Sequence, residues 1–129
     1  MNVVLDTNVL VSALCTPGRR ASQILSAVIV RRLTACYDSR ILEEYDRVLH
    51  YPKFAFSEWE IRALMEPILR QGLSVIPEPL RSYDFPDESD RKFLEVARAC
   101  GAVLITGNLR YFPTEPDILS ISDFCERLL

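Results

Sequence analysis

At 129 residues, 49% hydrophobic and 26% charged, the chain has material for one buried core and not for two, so residues 1–129 are expected to form a single soluble domain. No apolar run reaches the roughly 18 residues that span a bilayer. Met1-Asn2-Val3-Val4-Leu5-Asp6 lacks a basic stretch and meets an acid too early for a secretory leader, which predicts a cytoplasmic protein with no membrane partner. A net charge of -3 excludes a uniformly basic nucleic-acid surface, and the one histidine, His50, excludes a multi-histidine centre and is expected at a helix end. Cys15, Cys36, Cys100 and Cys125 are scattered without a C-x-x-C pair and read as reduced, buried thiols in preference to a zinc site or disulfides.

In chain order, Val3-Val4-Leu5 is a buried strand ending at Asp6, and a loop containing Pro17-Gly18 follows. Ser22 to Arg32 reads as a helix with Ile24, Leu25, Val28 and Ile29 on one face, and Thr34 to Tyr37 as the second strand. Ser39 is the expected cap of a helix through Leu49, which Tyr51-Pro52 ends. Ser57-Glu58-Trp59-Glu60 is a capping-box pattern for a helix in which Pro67 suggests a kink or a division in two. Leu73 to Ile76 is a short strand, and 77–86 a proline-punctuated loop. Asp87 opens a helix to about Cys100 that Gly101 stops; Ala102 to Thr106 is a central strand, Asp117 to Ser120 a last strand, and Ser122 to Leu129 a terminal helix. The alternation predicts a three-layer α/β/α sandwich around a mainly parallel sheet.

Three acids stand out against that frame. Ligands of open parallel sheets bind at the carboxyl ends of strands, where Asp6 sits and where Thr106-Gly107-Asn108 ends another strand. On the helix from Ser39, residues Ile41, Leu42, Tyr45, Val48 and Leu49 form an apolar stripe; Glu44 lies at its edge, aimed toward the sheet, while Glu43 projects away. Asp90 leads the face carrying Phe93, Ala97 and Cys100, with Arg91 and Lys92 expected on other faces. Asp87, three residues before Asp90, has a sufficient role as a helix cap. Anions gathered this closely would raise one another's pKa values, and a hard divalent cation, Mg2+ or Mn2+, is the usual resolution for an all-oxygen set. Such an ion serves phosphoryl chemistry.

Four segments together resemble a PIN domain: Val4-Leu5-Asp6-Thr7-Asn8-Val9-Leu10, Ile41-Leu42-Glu43-Glu44-Tyr45, Asp87-Glu88-Ser89-Asp90-Arg91-Lys92-Phe93-Leu94 and Leu104-Ile105-Thr106-Gly107-Asn108. Their order and spacing are most similar to the VapC-like toxin branch of toxin–antitoxin systems, over nearly the whole chain. The resemblance implies a Mg2+- or Mn2+-dependent endoribonuclease that leaves a 5′-phosphate and a 3′-hydroxyl. Asp6, Glu44 and Asp90 match the three acids, Asp87 an additional acid, and Asn8 and Thr106 supporting polar positions. Asn108 stands where the wider family often has Asp, which leaves one or two metals open. Arg19, Arg20 and Arg110 are candidate RNA-backbone contacts, the local pairs Arg19-Arg20 and Arg31-Arg32 fitting a solvated surface equally well. A cognate antitoxin is the implied partner, and a homodimer is expected, through apolar surface at Ile61, Leu64 and Leu69. Three alternatives stay open: a degenerate PIN domain that only binds, a housekeeping RNA-processing or DNA-repair nuclease of the same family, and a phosphatase or receiver-like α/β domain. Against the last, position 8 is Asn where a dehalogenase-type phosphatase has a second Asp, and no phosphate-binding G-x-x-x-x-G-K-[ST] loop exists.

Overall fold

Strand segments that are apolar at every position must be covered on both sides, which favours a parallel sheet between helical layers. Val3, Val4 and Leu5 are fully buried, as are Leu104 and Ile105. The computed structural model describes all residues 1–129 and has such a sheet, wholly parallel. Its strands are β1 (Asn2–Leu5), β2 (Thr34–Tyr37), β3 (Leu73–Ser74), β4 (Val103–Thr106) and β5 (Ile118–Ser120), in the order β3-β2-β1-β4-β5. The chain moves outward from β1 to β3 and then returns to β4 beside β1. The order therefore switches direction between β1 and β4, where a crevice opens at the carboxyl ends.

Six helices flank the sheet: α1 (Thr7–Cys15), α2 (Arg20–Ile29), α3 (Ser39–Leu49), α4 (Glu58–Gln71), α5 (Arg91–Cys100) and α6 (Ile121–Leu128). Helix α2 packs on α1, α4 and α6, whereas α5 packs on β1, β2 and β4. Right-handed crossovers in opposite directions along the sheet put α5 on the face opposite α2. Helix α3 touches both α1 and α5, so it closes the crevice from above. No helix is long and apolar enough to cross a membrane.

The sequence reading is corrected in several places. Helix α1 occupies a segment expected to be loop; Val9, Leu10 and Ala13 anchor it in the core at helical spacing. Helix α2 starts and ends earlier than expected, because Arg31 takes a left-handed conformation (φ 65°) that no helix continues. The cap of α3 is Asp38, not Ser39: its carboxylate accepts from the Ile41 N–H at 3.0 Å. Pro67 neither splits nor ends α4, since the carbonyl it leaves unpaired belongs to Ala63 on the exposed side. β3 is only two residues long, and α6 is capped by Ser120. Ile61 is 4% exposed and belongs to the core, so of the three residues expected to form a dimer patch only Leu69 is open. The capping box at Ser57 and Glu60, the left-handed Gly101 stop (φ 58°) and His50 at the end of α3 are as expected. All four cysteines are free, but only Cys36 is buried as expected; Cys100 and Cys125 are half-buried and Cys15 is exposed.

Candidate active site

β1 and β4 pair with Leu5 opposite Ile105, so the following residues of each strand, Asp6 and Thr106, leave the sheet side by side. Asp6 occupies the N-cap position of α1 yet caps nothing. Its Oδ2 instead accepts from the Thr106 hydroxyl at 2.7 Å and from the Asn8 amide at 3.2 Å. Thr106, fully buried, accepts in turn from the Asn108 N–H at 2.9 Å. The Asn8 side-chain oxygen accepts from the Gly107 N–H at 2.9 Å. This lattice fixes the Asp6 carboxylate and ties the β4 terminus to the start of α1. Asn8 and Thr106, the two expected supporting residues, both hydrogen-bond the Asp6 carboxylate.

Glu44 reaches the same crevice from α3. Tyr45 beside it is buried and donates its hydroxyl to the Leu5 carbonyl at 2.5 Å, which locks α3 over the end of β1. Glu44 Oε2 accepts from the Thr7 hydroxyl, and Oε1 from Lys92 Nζ at 2.7 Å. Asp90 enters from the start of α5, its side chain caps nothing, and only burial and neighbouring charge act on it.

Burial and neighbouring carboxylates act on two of the three acids. Burial first, and then Glu44, push the Asp6 carboxyl from 3.8 up to about 6, against the lowering effect of the Thr106 hydrogen bond. Asp90 is raised to about 6 by burial, then by the charges of Asp6, Asp87 and Glu44. Both feel Lys92 as a compensating cation.

Lys92 is the residue that the helical wheel misplaced. It lies one turn before the fully buried Val96, and its side chain is only 11% exposed. Thr7 was missed with the helix that carries it. Asp87 behaves mainly as a turn residue: it is exposed, and its Oδ1 accepts from the Ser89 N–H (2.9 Å) and hydroxyl (2.7 Å), capping a 3-10 turn over Glu88–Asp90 and not α5 itself. No capping box joins it to Asp90. Asn108 is exposed and opens a second 3-10 turn, Leu109–Tyr111. Among the arginines, Arg20 is committed to Glu126 (3.0 Å) and the Ser122 carbonyl (3.3 Å). Arg19 is exposed before α2, and Arg110 lies over the Tyr111 ring in the turn that follows Asn108.

The donor set fits a hard divalent cation: it holds carboxylates, an amide and hydroxyls, with no histidine or thiol. It is not a ready-made cage, since no three acidic, histidine or cysteine side chains are drawn close enough to ligate together. Both Glu44 carboxylate oxygens already have partners, Thr7 and Lys92.

The family model described as "PIN domain" matches residues 2–110. An uncharacterized protein of Methanocaldococcus jannaschii is 30% identical over 125 residues, 95% of this chain and 76% of that protein. Among solved structures, a chain in the crystal structure of VapBC2 from Rickettsia felis, bound to a DNA fragment from their promoter, is similar with a TM-score of 0.60 at 17% identity, over 93% of this chain and 97% of that one. At that identity the likeness concerns the fold alone.

Proposed function

The chain belongs to the PIN-domain family, and on that footing we propose that it is an endoribonuclease dependent on Mg2+ or Mn2+, with Asp6, Glu44 and Asp90 as metal ligands. The observation that carries this reading is the convergence of three acids from β1, α3 and α5 on one crevice, two of them with carboxyls raised to about 6. When bound, the ion supplies Lewis-acid polarisation of a phosphodiester and a more acidic water.

The protein's own residues supply the rest. Asp6 keeps one orientation because Thr106 and Asn8 hold Oδ2, leaving Oδ1 without a side-chain partner. Asp90 presents a carboxylate with no capping duty. Thr7 orients Glu44 through Oε2. Asp87 adds negative charge at the rim, and Asn108 offers a neutral carbonyl oxygen where a fourth acid would add charge, which favours one ion over two. Of the three arginines, Arg110 is the best placed for an RNA phosphate, because its turn begins at Asn108; Arg19 is second, and Arg20 must first leave Glu126.

We further propose that the protein is the toxin of a toxin–antitoxin pair. The similar fold in the VapBC2 complex supports a protein partner, and a housekeeping RNA-processing role is the competing assignment within the same chemistry. Purified protein incubated with total RNA and Mg2+ or Mn2+ should give fragments with 5′-phosphate ends, and Asp6→Asn should give none. Cleavage undiminished in Asp6→Asn would overturn the site. Binding of Mn2+ without any cleavage would favour a domain that only binds.

A further inference from the structure

Lys92 and Glu44 form a pair in which both side chains are largely buried, 11% and 12% exposed. Lysine and glutamate are rarely sequestered unless paired, and such a pair owes its place to something besides surface electrostatics. The ammonium also donates to the Ser89 carbonyl at the start of its own helix, so it is anchored independently of Glu44. It lies within electrostatic reach of Asp6, Asp90 and Asp87 as well. One of only two lysines in a chain whose other basic residues are arginines therefore sits at the centre of the acidic crevice. The neighbouring Arg91 turns away, to Glu88 (2.8 Å) and the Leu80 carbonyl (2.6 Å).

We infer that Lys92 is a resident counter-cation of this site: it holds Glu44 Oε1 and competes with the divalent ion for it, so that metal entry is an exchange in which the ammonium withdraws toward Ser89. The inference rests on the reading of the three acids as a divalent-metal site. Lysine suits the task where arginine would not. A compact ammonium on a flexible stem releases a carboxylate easily, whereas a guanidinium fork grips it with two parallel bonds. The same pair occupies a carboxylate oxygen that an incoming ion would need.

Two readouts that do not use catalysis test this. In calorimetric titrations with MnCl2, Lys92→Met should bind Mn2+ about ten-fold or more tightly than the parent, and Lys92→Arg more weakly. Arg91→Met, which removes an equal charge one residue away, should change affinity by no more than about two- to three-fold. In EDTA at neutral pH, Lys92→Met should melt below the parent, and the double variant Lys92→Met/Glu44→Gln should recover most of that loss, because the stranded acid is gone. Where Lys92→Met folds poorly, Lys92→Gln serves in both assays. Unchanged or weaker Mn2+ binding in Lys92→Met or Lys92→Gln, an equal gain in Arg91→Met, or additive melting effects in EDTA would each overturn the inference. A parent that binds no Mn2+ would instead refute the metal site itself, while the coupling in EDTA would still report on the Lys92–Glu44 pair.

Discussion

Asp6 and Asp38 occupy equivalent places in two neighbouring units of the fold. Each directly follows a sheet strand, each stands at the N-cap position of the next helix, and each is 6% exposed. Their partners differ. Asp38 caps α3 and pairs with Arg40 at 2.7 Å; Arg40 also bridges at 2.9 Å to Glu95, 5% exposed, whose other oxygen accepts from the Leu80 N–H at 2.7 Å. Asp6 caps nothing, receives only a neutral hydroxyl and amide from side chains, and has Glu44, Asp90 and Lys92 as charged neighbours. One buried acid is thus consumed by structure, and the other is left with charge that an external cation can take. The same local motif, strand–Asp–helix, yields a scaffold in one place and a candidate site in the other, and the difference is decided by what the rest of the chain brings to it.

The largest effect is expected for Asp6→Asn, which should lower RNA cleavage by about 100- to 1000-fold or more, while Asp38→Asn should leave cleavage nearly intact and reduce stability by about 1–2 kcal/mol. Next, Glu95→Ala should cost about 3 kcal/mol in denaturant unfolding, the half-exposed Arg40 keeping it at the low end for a broken buried pair, with Mn2+ binding unaltered. pH separates the two acids further. Because the Asp6 carboxyl is raised from 3.8 to about 6, the folded state binds its proton more readily than the unfolded chain. Its contribution to stability is therefore greatest below pH 4, falls as pH rises through 6, and is fully lost above. In EDTA this should amount to about 3 kcal/mol or less between pH 4 and 7. Asp6→Asn should flatten that slope, and Asp38→Asn should not. The smallest effect should come from Thr106→Val, which keeps the fold but frees Asp6 to rotate and should weaken Mn2+ binding about 10- to 100-fold in calorimetry.

The acids were legible in sequence because their geometry is backbone geometry: a strand end, a helix edge and a helix start. The alternation of short strands with helical patterns predicted a mainly parallel sheet, and every strand pair is in fact parallel. Helix α1 was hidden because Thr7, Val9 and Val11 are β-branched, Asn8 is a weak helix former and Pro17-Gly18 announces a loop; tertiary packing on α2 overrides that local preference. Thr7 vanished with it. Lys92 was misread because the buried face of α5 is wider than the stripe of Phe93, Ala97 and Cys100 and takes in Val96, one turn after Lys92. Asp38 was passed over since Ser39 beside it is an equally good cap, and only the Arg40–Glu95 partnership, between residues 55 apart in the chain, selects it. Asp87 went the other way, its carboxylate bound by Ser89 two residues on.

The most direct test is calorimetric titration of MnCl2 into the EDTA-stripped protein near neutral pH, alongside Asp6→Asn, Asp90→Asn and Asp38→Asn. One saturable site should appear in the parent and in Asp38→Asn and disappear in the other two. Equal binding in all four proteins, or none in the parent, would contradict the assignment of the crevice between β1, α3 and α5 as a metal site.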